Sequence, residues 1–361
     1  MIEQRYQFAN KTKGTRVYIS NSFSSVLKAL NKLPPALFIV DQGIPEYKRG
    51  ILRDAFSCSN HWIFELNGGE EVKCDDMRAT LERRAAHYGL GSDGMVVAIG
   101  GGATLDLAGF FAATYARGIP LVNVPTTLLA MVDTAIGGKC GINVVGVKNL
   151  VGAIWHPQSV YVSTDFIESL SEHHLTSGLV EAAKHAMLDS QESFDHFMHS
   201  WQRFALKDIK ELERLIAWSL RLKVKYIGSE YRDLLNLGHT FAHALEFLER
   251  GRLDHGRAVA LGIYAEAFIG CMKGIVSYKV VEAASQVLSR LRVHLKMDWF
   301  LDQWRAALTF DKKNVRAVPH VVWLEELGKP YEKGGPKFPL STVETDFAYR
   351  FFEQYKRNKS L

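Results

Sequence analysis

Cysteine is scarce in this chain of 361 residues, with four scattered copies and no CxxC pair. The scarcity argues against a disulfide framework and against a cysteine zinc site, and it fits a reducing compartment, so we predict a cytoplasmic protein. Long apolar runs are also missing, because the most apolar stretch, residues 95–111, is interrupted by four glycines and Asp106. We therefore expect neither a membrane-spanning helix nor a membrane partner.

Charge of one sign is not concentrated in any part of the chain. The net charge of +5 is modest and the basic residues are spread out, which argues against a nucleic-acid partner. Hydrophobic residues make up 47% and charged residues 23%, as is typical of a globular protein. For a chain of this length, two domains of roughly 150 to 200 residues are the default expectation.

The first half of the chain alternates short apolar runs with helical patterns. The runs predicted as strands are 36–40, 62–66, 94–99 and 121–124. Segments 78–88 and 105–117 have the pattern of crossover helices between them. Such alternation predicts an α/β domain with a parallel sheet, which we place at residues 1–169.

The second half has long amphipathic helical patterns instead. The segments with this pattern are 171–188, 209–227, 238–248 and 257–271. Gly251 is predicted to close the helix that begins near Gly238. The change of pattern alone indicates an all-α domain over residues 170–361.

A glycine-rich turn follows the third predicted strand. The strand 95–99 runs into Gly100, Gly101 and Gly102, and then into an alanine-rich helix pattern. Glycines let the backbone approach a pyrophosphate, and the N–H groups of the helix start meet its charge. The spacing is not GxGxxG, so a structural turn at the sheet edge is the alternative. The hydroxyls of Thr126 and Thr127, after the next strand, can reach a ribose or a phosphate.

Residues 133–149 form a second polar stretch with two lysines, two asparagines and four glycines. Lysine supplies compact charge and asparagine supplies orientation, so the stretch suits a phosphorylated substrate. A solvated polar loop is the alternative. Flanking apolar runs at 128–132 and 150–153 indicate a loop held inside the protein.

Metal-binding residue types follow in the second half. Glu181 and Lys184 share one face of an apolar helix, where a carboxylate needs a positive partner, either a buried lysine or a metal ion. His239 and His243 have the i, i+4 spacing of helical zinc sites, and His255 follows. A metal site is indicated, although spacing alone would pair His239 with His243 and leaves the choice among the three histidines open.

Several segments together resemble the 3-dehydroquinate synthases and the wider sugar-phosphate cyclase family. The segments are 112–118, 124–130, 137–143 and 234–243, within a similarity that runs from about Gly94 to Leu261. The resemblance implies the dehydroquinate synthase-like fold, with an α/β nucleotide-binding domain and a helical domain. It also implies that Glu181, His239 and His255 hold zinc or cobalt, whereas His243 faces the substrate.

The resemblance further implies sites for NAD and for a sugar phosphate. The residues implied for NAD are Asp41, Glu70, Lys73, Gly101, Gly102, Ala103, Thr104, Leu105, Asp106, Thr126, Thr127, Asp133, Lys139, Lys148, Phe166, Ile167, Glu168 and Ser169. Those implied for substrate and catalysis are Arg117, Asp133, Lys139, Asn149, Lys184, Lys223, Arg232, Asn236, His243 and one of Lys312 and Lys313, of which we favour Lys313.

Arg117 is implied to reach the substrate phosphate of a neighbouring subunit, and hence a homodimer. It lies at the far end of the helix predicted after the glycine turn. A helix of about a dozen residues spans roughly 18 Å, which separates Arg117 from its own nucleotide turn. A surface arginine that caps its own helix is the alternative.

The chain departs from the family pattern at three places. Gly43 stands where an asparagine is common, Leu105 replaces a usual glycine, and the segment between Lys223 and Arg232 is about five residues short. The first two bear on nucleotide fit, and the third bears on the position of Lys223.

The activity implied by the resemblance is 3-dehydroquinate synthesis. The enzyme would convert 3-deoxy-D-arabino-heptulosonate 7-phosphate to 3-dehydroquinate and phosphate, in the shikimate pathway of aromatic amino acid biosynthesis. Three alternatives stay open: a cyclase acting on sedoheptulose 7-phosphate, a metal-dependent glycerol or alcohol dehydrogenase of the same architecture, and a binding protein without catalysis. Arg232 and segment 235–239 with His243 favour the dehydroquinate branch.

Overall fold

The computed structural model describes residues 2–6, 14–309, 318–332 and 337–358. The chain divides into two compact units: the first comprises Met1–Gly178 and Leu206–Val224, and the second comprises Leu179–Ala205 and Lys225–Leu361. The chain therefore enters the second unit, returns to the first for one segment, and enters the second again. The domain boundary predicted after residue 169 stays a prediction.

The first unit is built on a largely parallel sheet. Its described strands are β1 (Ile2–Tyr6), β2 (Thr15–Ser20), β3 (Ala36–Asp41), β4 (His61–Leu66), β5 (Met95–Gly100), β6 (Leu121–Pro125), β7 (Lys139–Val144), β8 (Val147–Ile154) and β9 (Ser159–Ser163). Seven of them form one sheet in the order β1-β2-β9-β6-β5-β3-β4, in which only β1 runs antiparallel to its neighbour. Strands β3, β5 and β6 are buried along their whole length, as expected for a parallel sheet covered on both faces. The predicted parallel sheet is confirmed.

Four α-helices precede residue 170 among the described residues. They are α1 (Phe23–Leu30), α2 (Glu46–Phe56), α3 (Asp75–His87) and α4 (Gly102–Thr114). Helix α4 follows β5 directly through Gly101, as the glycine-rich turn predicts. The predicted extension of this helix to Arg117 is wrong, because Ala116 and Arg117 have φ angles of 48° and 65°. Such left-handed residues cannot continue a right-handed helix.

The polar stretch predicted as an internal loop is a β-hairpin. Strands β7 and β8 pair antiparallel around a turn at Val145 and Gly146, whose φ angles are 50° and 75°. Positive φ at both central residues is the geometry of tight hairpin turns. The apolar run before this stretch is buried, with Leu128 and Met131 at 0% exposure, whereas the run after the turn is not held inside, since Leu150 and Val151 are 50% and 42% exposed. Composition did not indicate the hairpin, because its backbone pairing depends on register and not on residue type.

Helices dominate the chain from residue 172 onward. They are α5 (Glu172–Asp189), α6 (Gln191–Ala205), α7 (Ile209–Ile227), α8 (His239–Glu249), α9 (His255–Met272), α10 (Tyr278–Ser289), α11 (Leu301–Thr309) and α12 (Thr342–Asn358). The predicted helical character is confirmed. In the described part of the chain, no helix has the length and apolarity needed to cross a membrane.

The second unit also contains short strand pairs that the sequence did not predict. They are β10 (His320–Val321) with β13 (Phe338–Pro339), and β11 (Leu324–Glu326) with β12 (Lys329–Pro330).

The end of α8 differs slightly from its prediction. Arg250, with φ 51°, takes the left-handed position immediately before Gly251.

Helices α8 and α9 approach each other closely at two glycines. A Cβ atom on Gly262 of α9 would lie 2.0 Å from the carbonyl oxygen of Gly238, which precedes α8. The buried carboxylate of Glu266 accepts a hydrogen bond from the Gly238 N–H at 2.8 Å. Only glycine permits this backbone approach, which sets the start of α8 against α9.

Candidate metal and nucleotide sites

One carboxylate and two imidazoles converge in the second unit. Glu181 lies on α5 and is 1% exposed, while His239 and His255 are the first residues of α8 and α9. The Nε2 atoms of His239 and His255 lie 3.6 Å and 3.5 Å from Glu181 Oε1. One donor atom from each residue lies within 4.8 Å of the other two. This set has the composition of a three-residue zinc site with room for further ligands.

The outer nitrogen of each imidazole faces an acceptor. His239 Nδ1 lies 3.0 Å from the Leu237 carbonyl oxygen, and His255 Nδ1 lies 3.4 Å from Glu246 Oε2. An acceptor at Nδ1 favours the tautomer with hydrogen on that atom, so the lone pair of Nε2 is turned towards Glu181. Both rings are therefore oriented as metal ligands, and the residues present fit a divalent ion.

The third histidine does not join this group. The ring of His243 lies 5.6 Å from that of His239, centroid to centroid, and perpendicular to it. The converging group contains His255 in its place. The pairing that spacing alone favoured thus differs from the geometry, whereas the residues implied by the family resemblance are brought together.

The surroundings of the three residues favour a cation. Burial lowers the pKa of His255, but hydrogen bonds and charges from Glu181 and Glu246 outweigh it and raise that pKa to about 10. Negative potential that holds a proton on an imidazole also attracts a metal ion. Lys184 is buried, pairs with Glu181, and donates a hydrogen bond to the Leu235 carbonyl oxygen at 2.7 Å.

Asn236 and Arg232, two other predicted substrate residues of the second unit, precede His239 in the sequence. Neither belongs to the group formed by Glu181, His239 and His255. Asn236 lines a small cavity with Thr240, His320, Val322 and Lys337. Its Nδ2 atom lies 3.5 Å from an Asp233 carboxylate oxygen, while Arg232 is half-buried. Lys313 lies outside the described residues, so its predicted role stays a prediction.

The first unit holds a polar cluster around Lys73. The Nζ atom of Lys73, which is 2% exposed, lies 2.7 Å from Asp106 Oδ2 and 3.4 Å from Glu70 Oε1, and it donates to Asn149. Asn143 donates to Glu70 at 2.9 Å. Burial lowers the pKa of Lys73, but the charges of Asp106 and Glu70 raise it above its usual value. Residues predicted separately for NAD and for substrate therefore form one network.

The glycine turn lies at the carboxyl ends of β3, β5 and β6. Asp41, at the end of β3, accepts hydrogen bonds from Gly43 N–H at 2.8 Å and from the Thr104 hydroxyl at 3.0 Å. Gly101 has no side chain to cap α4, so no side chain at the cap position competes with a ligand for the first N–H groups. This edge is where ligands of open α/β sheets bind, and the donor arrangement fits a pyrophosphate.

The remaining predicted nucleotide residues differ in exposure. Leu105 is 3% exposed, so this departure from the family pattern faces the interior and not the turn. Gly102 and Ala103 are half-buried at the start of α4, as is Thr127, whereas Thr126 is buried.

Two further groups complete the predicted residues of the first unit. Lys223 lies 2.8 Å from Asp133 Oδ1 and also contacts the Asp133 carbonyl oxygen. Lys139 and Lys148 are exposed on the hairpin. In the segment Thr164–Ser169, Phe166 and Ile167 are buried. Glu168 and Ser169 are exposed.

Sequence reasoning missed Glu246 and Lys337. Glu246 lies seven residues after His239 on α8, which is two helical turns and therefore the same face. That spacing was available as a signal. Lys337 follows a segment without a recognisable pattern, and only the fold brings it beside Asn236.

Comparisons with known proteins cover most of the chain. The family model described as 3-dehydroquinate synthase N-terminal matches residues 63–177, and the one described as 3-dehydroquinate synthase C-terminal matches residues 178–314. A 3-dehydroquinate synthase from Corynebacterium jeikeium (strain K411) is 37% identical over 282 residues, which cover 76% of each chain.

Solved structures of related cyclases have the same fold. A 2-deoxy-scyllo-inosose synthase complexed with carbaglucose-6-phosphate, NAD+ and Co2+ gives a TM-score of 0.86 at 23% identity, covering 97% of this chain and 100% of that one. A 2-epi-5-epi-valiolone synthase from Streptomyces hygroscopicus subsp. jinggangensis 5008, with NAD+ and Zn2+ bound, gives 0.84 at 20%, covering 96% and 99%. The predicted fold class is confirmed.

Proposed function

The chain belongs to the 3-dehydroquinate synthase family, and from this premise we propose how its residues perform that reaction. The enzyme converts 3-deoxy-D-arabino-heptulosonate 7-phosphate to 3-dehydroquinate and inorganic phosphate, as a phosphate-eliminating lyase. The observation that carries the proposal is the convergence of Glu181, His239 and His255 within 4.8 Å. A dehydrogenase of the same architecture also uses a metal, so the test below separates the two activities by their products.

Two groups would supply chemistry that side chains lack. Glu181, His239 and His255 would hold a divalent metal ion, zinc or cobalt, which would supply Lewis acidity for substrate oxygens. The turn before α4, with Asp41 and the Lys73–Asp106 pair, would hold NAD, which would supply hydride-transfer chemistry. The related cyclases bound to NAD+ and to Co2+ or Zn2+ support both assignments.

The residues of the chain orient and neutralise the substrate. Oxidation of a ring hydroxyl acidifies the neighbouring C–H bond, so phosphate can leave by β-elimination. Lys139 and Lys148 are exposed on the hairpin and supply compact positive charge for the phosphate group. In the second unit Lys184, Asn236 and His243 hold substrate hydroxyl and carboxylate groups. Because the heptulosonate phosphate has the same atoms and oxidation level as 3-dehydroquinate plus phosphate, the reaction involves no net oxidation, and NAD would be regenerated.

This redox balance predicts the outcome of a direct assay. With the heptulosonate phosphate, sub-stoichiometric NAD and zinc, we expect many equivalents of phosphate per NAD and no accumulation of NADH absorbance. Phosphate is measured with a coupled colorimetric assay, and NADH is measured by its absorbance in the same reaction. The Glu181→Gln variant serves as the control for contaminating phosphatases. Stoichiometric NADH, or no phosphate above that control, would refute the proposed reaction.

We also propose a homodimer in which Arg117 completes the phosphate site of the partner. Arg117 is exposed and has no ion-pair partner among the residues that the structure describes. Its loop packs on the residue that follows β8, because Trp155 lies against Gly118 and donates from Nε1 to the Ile119 carbonyl oxygen at 3.0 Å. The loop that carries Arg117 therefore contacts the end of the hairpin, and the exposed apolar residues Leu150, Val151 and Ile154 of β8 support a contact between copies of the chain.

Hybrid dimers test this sharing. An Arg117→Ala chain and a Lys139→Ala chain should each be nearly inactive alone, and mixing them should restore activity at the one intact site of each heterodimer. Activity is measured on heterodimers purified through two different affinity tags. A monomer in solution, or verified heterodimers without recovered activity, would contradict the shared site.

A further inference from the structure

Glu246 lies on α8 behind the histidine that begins α9. It is half-buried, with a side chain that is 10% exposed, and its Oε2 atom lies 3.4 Å from His255 Nδ1. The other ring nitrogen of His255 lies 3.5 Å from Glu181 Oε1. The imidazole is thus held between two carboxylates, one on the proposed metal side and one on the opposite side.

We propose that Glu246 is a positioning residue for the metal site, acting through His255. Its carboxylate accepts the Nδ1–H of His255, which fixes the tautomer and the ring orientation and makes Nε2 a better donor to a cation. The inference rests on the proposed metal site. It adds a residue that does not itself belong to the converging donor set.

The two imidazoles differ in what anchors them. His239 is anchored by a backbone carbonyl at Leu237, which no side-chain substitution removes, whereas His255 is anchored by the side chain of Glu246. Only the His255 anchor can therefore be removed by a side-chain substitution. Removing it should loosen one ligand while the other two keep their surroundings.

A neighbouring glutamate provides a matched control for loss of stability. Glu249, three residues later on α8, is fully buried and accepts hydrogen bonds at 2.9 Å from Met297 N–H and Trp299 Nε1–H. These contacts tie the segment before α11 to α8 and do not involve the converging donors. A purely structural role for Glu246 would make its variants behave like those of Glu249.

The experiment measures zinc affinity of the full chain by competition with a chromogenic chelator, and the unfolding temperature of the metal-free form. We expect Glu246→Ala to weaken zinc binding by about 10- to 100-fold. Glu246→Gln keeps an amide oxygen that can accept the same hydrogen bond, so its loss should be smaller. Glu249→Gln should lower the unfolding temperature and change zinc affinity less than twofold.

The outcomes separate this inference from the metal assignment. If His255→Ala loses zinc affinity while Glu246→Ala binds zinc within twofold of the original chain, the inference alone is overturned. If His255→Ala keeps its affinity, the metal site is wrongly assigned and the inference falls with it. If Glu246→Ala does not fold, Glu246→Gln decides: a lowered unfolding temperature with zinc affinity within twofold of the original chain, as expected for Glu249→Gln, would indicate a structural role and overturn the inference.

Discussion

Replacing any of the three converging residues should remove almost all activity. We expect Glu181→Gln, His239→Ala and His255→Ala each to lower kcat/KM by about a thousandfold or more, because a Lewis acid lowers the activation barrier by several kcal/mol and each 1.4 kcal/mol is about tenfold in rate. Chelation should have the same effect on the original chain, and zinc or cobalt should restore it. Metal content after gel filtration and phosphate release are the two measurements.

His243→Ala is the control that makes this prediction specific. His243 has the helical spacing of a zinc ligand but lies outside the converging group. We expect this variant to lose activity and yet to retain one equivalent of metal. Loss of metal from His243→Ala with full retention in His255→Ala would reverse the assignment of ligands.

Removing the buried lysine of the first unit should have the largest effect on stability. Lys73→Met leaves the Asp106 carboxylate without its partner at 2.7 Å, and breaking such a pair typically costs about 3 to 5 kcal/mol. We expect a loss of about 3 kcal/mol, since Asp106 is 17% exposed and some water reaches it. The free energy of unfolding is measured in urea, together with NAD affinity, which should also fall.

A surface pair in the same unit supplies the comparison. Arg78 pairs with Glu82 on α3, and both side chains remain partly exposed at 25% and 35%. Arg78→Met should therefore cost less than about 1 kcal/mol. The double variant Lys73→Met with Asp106→Asn should recover part of the loss, because it removes the uncompensated charge. Equal costs for Lys73→Met and Arg78→Met would show that the buried pair does not stabilise the fold.

Local patterns predicted the parts of this protein that depend on neighbouring residues in the chain. The apolar runs predicted β3 to β6 to within one or two residues; β3, β5 and β6 are buried along their whole length, and such a strand has to be apolar throughout. The glycines after β5 predicted the turn into α4. Residue types alone indicated a carboxylate and imidazoles for a metal.

The tertiary structure decided which of those residues meet. Spacing favours His239 with His243, but the rings of His239 and His255 lie 5.4 Å apart, because the start of α8 packs against α9 at the Gly238–Gly262 contact. The partner of Lys73 and the anchor of His255 likewise depend on contacts between separate segments. A sequence records the burial period of each helix or strand, whereas the approach of two helices depends on side-chain volume over many residues, which no local spacing reveals.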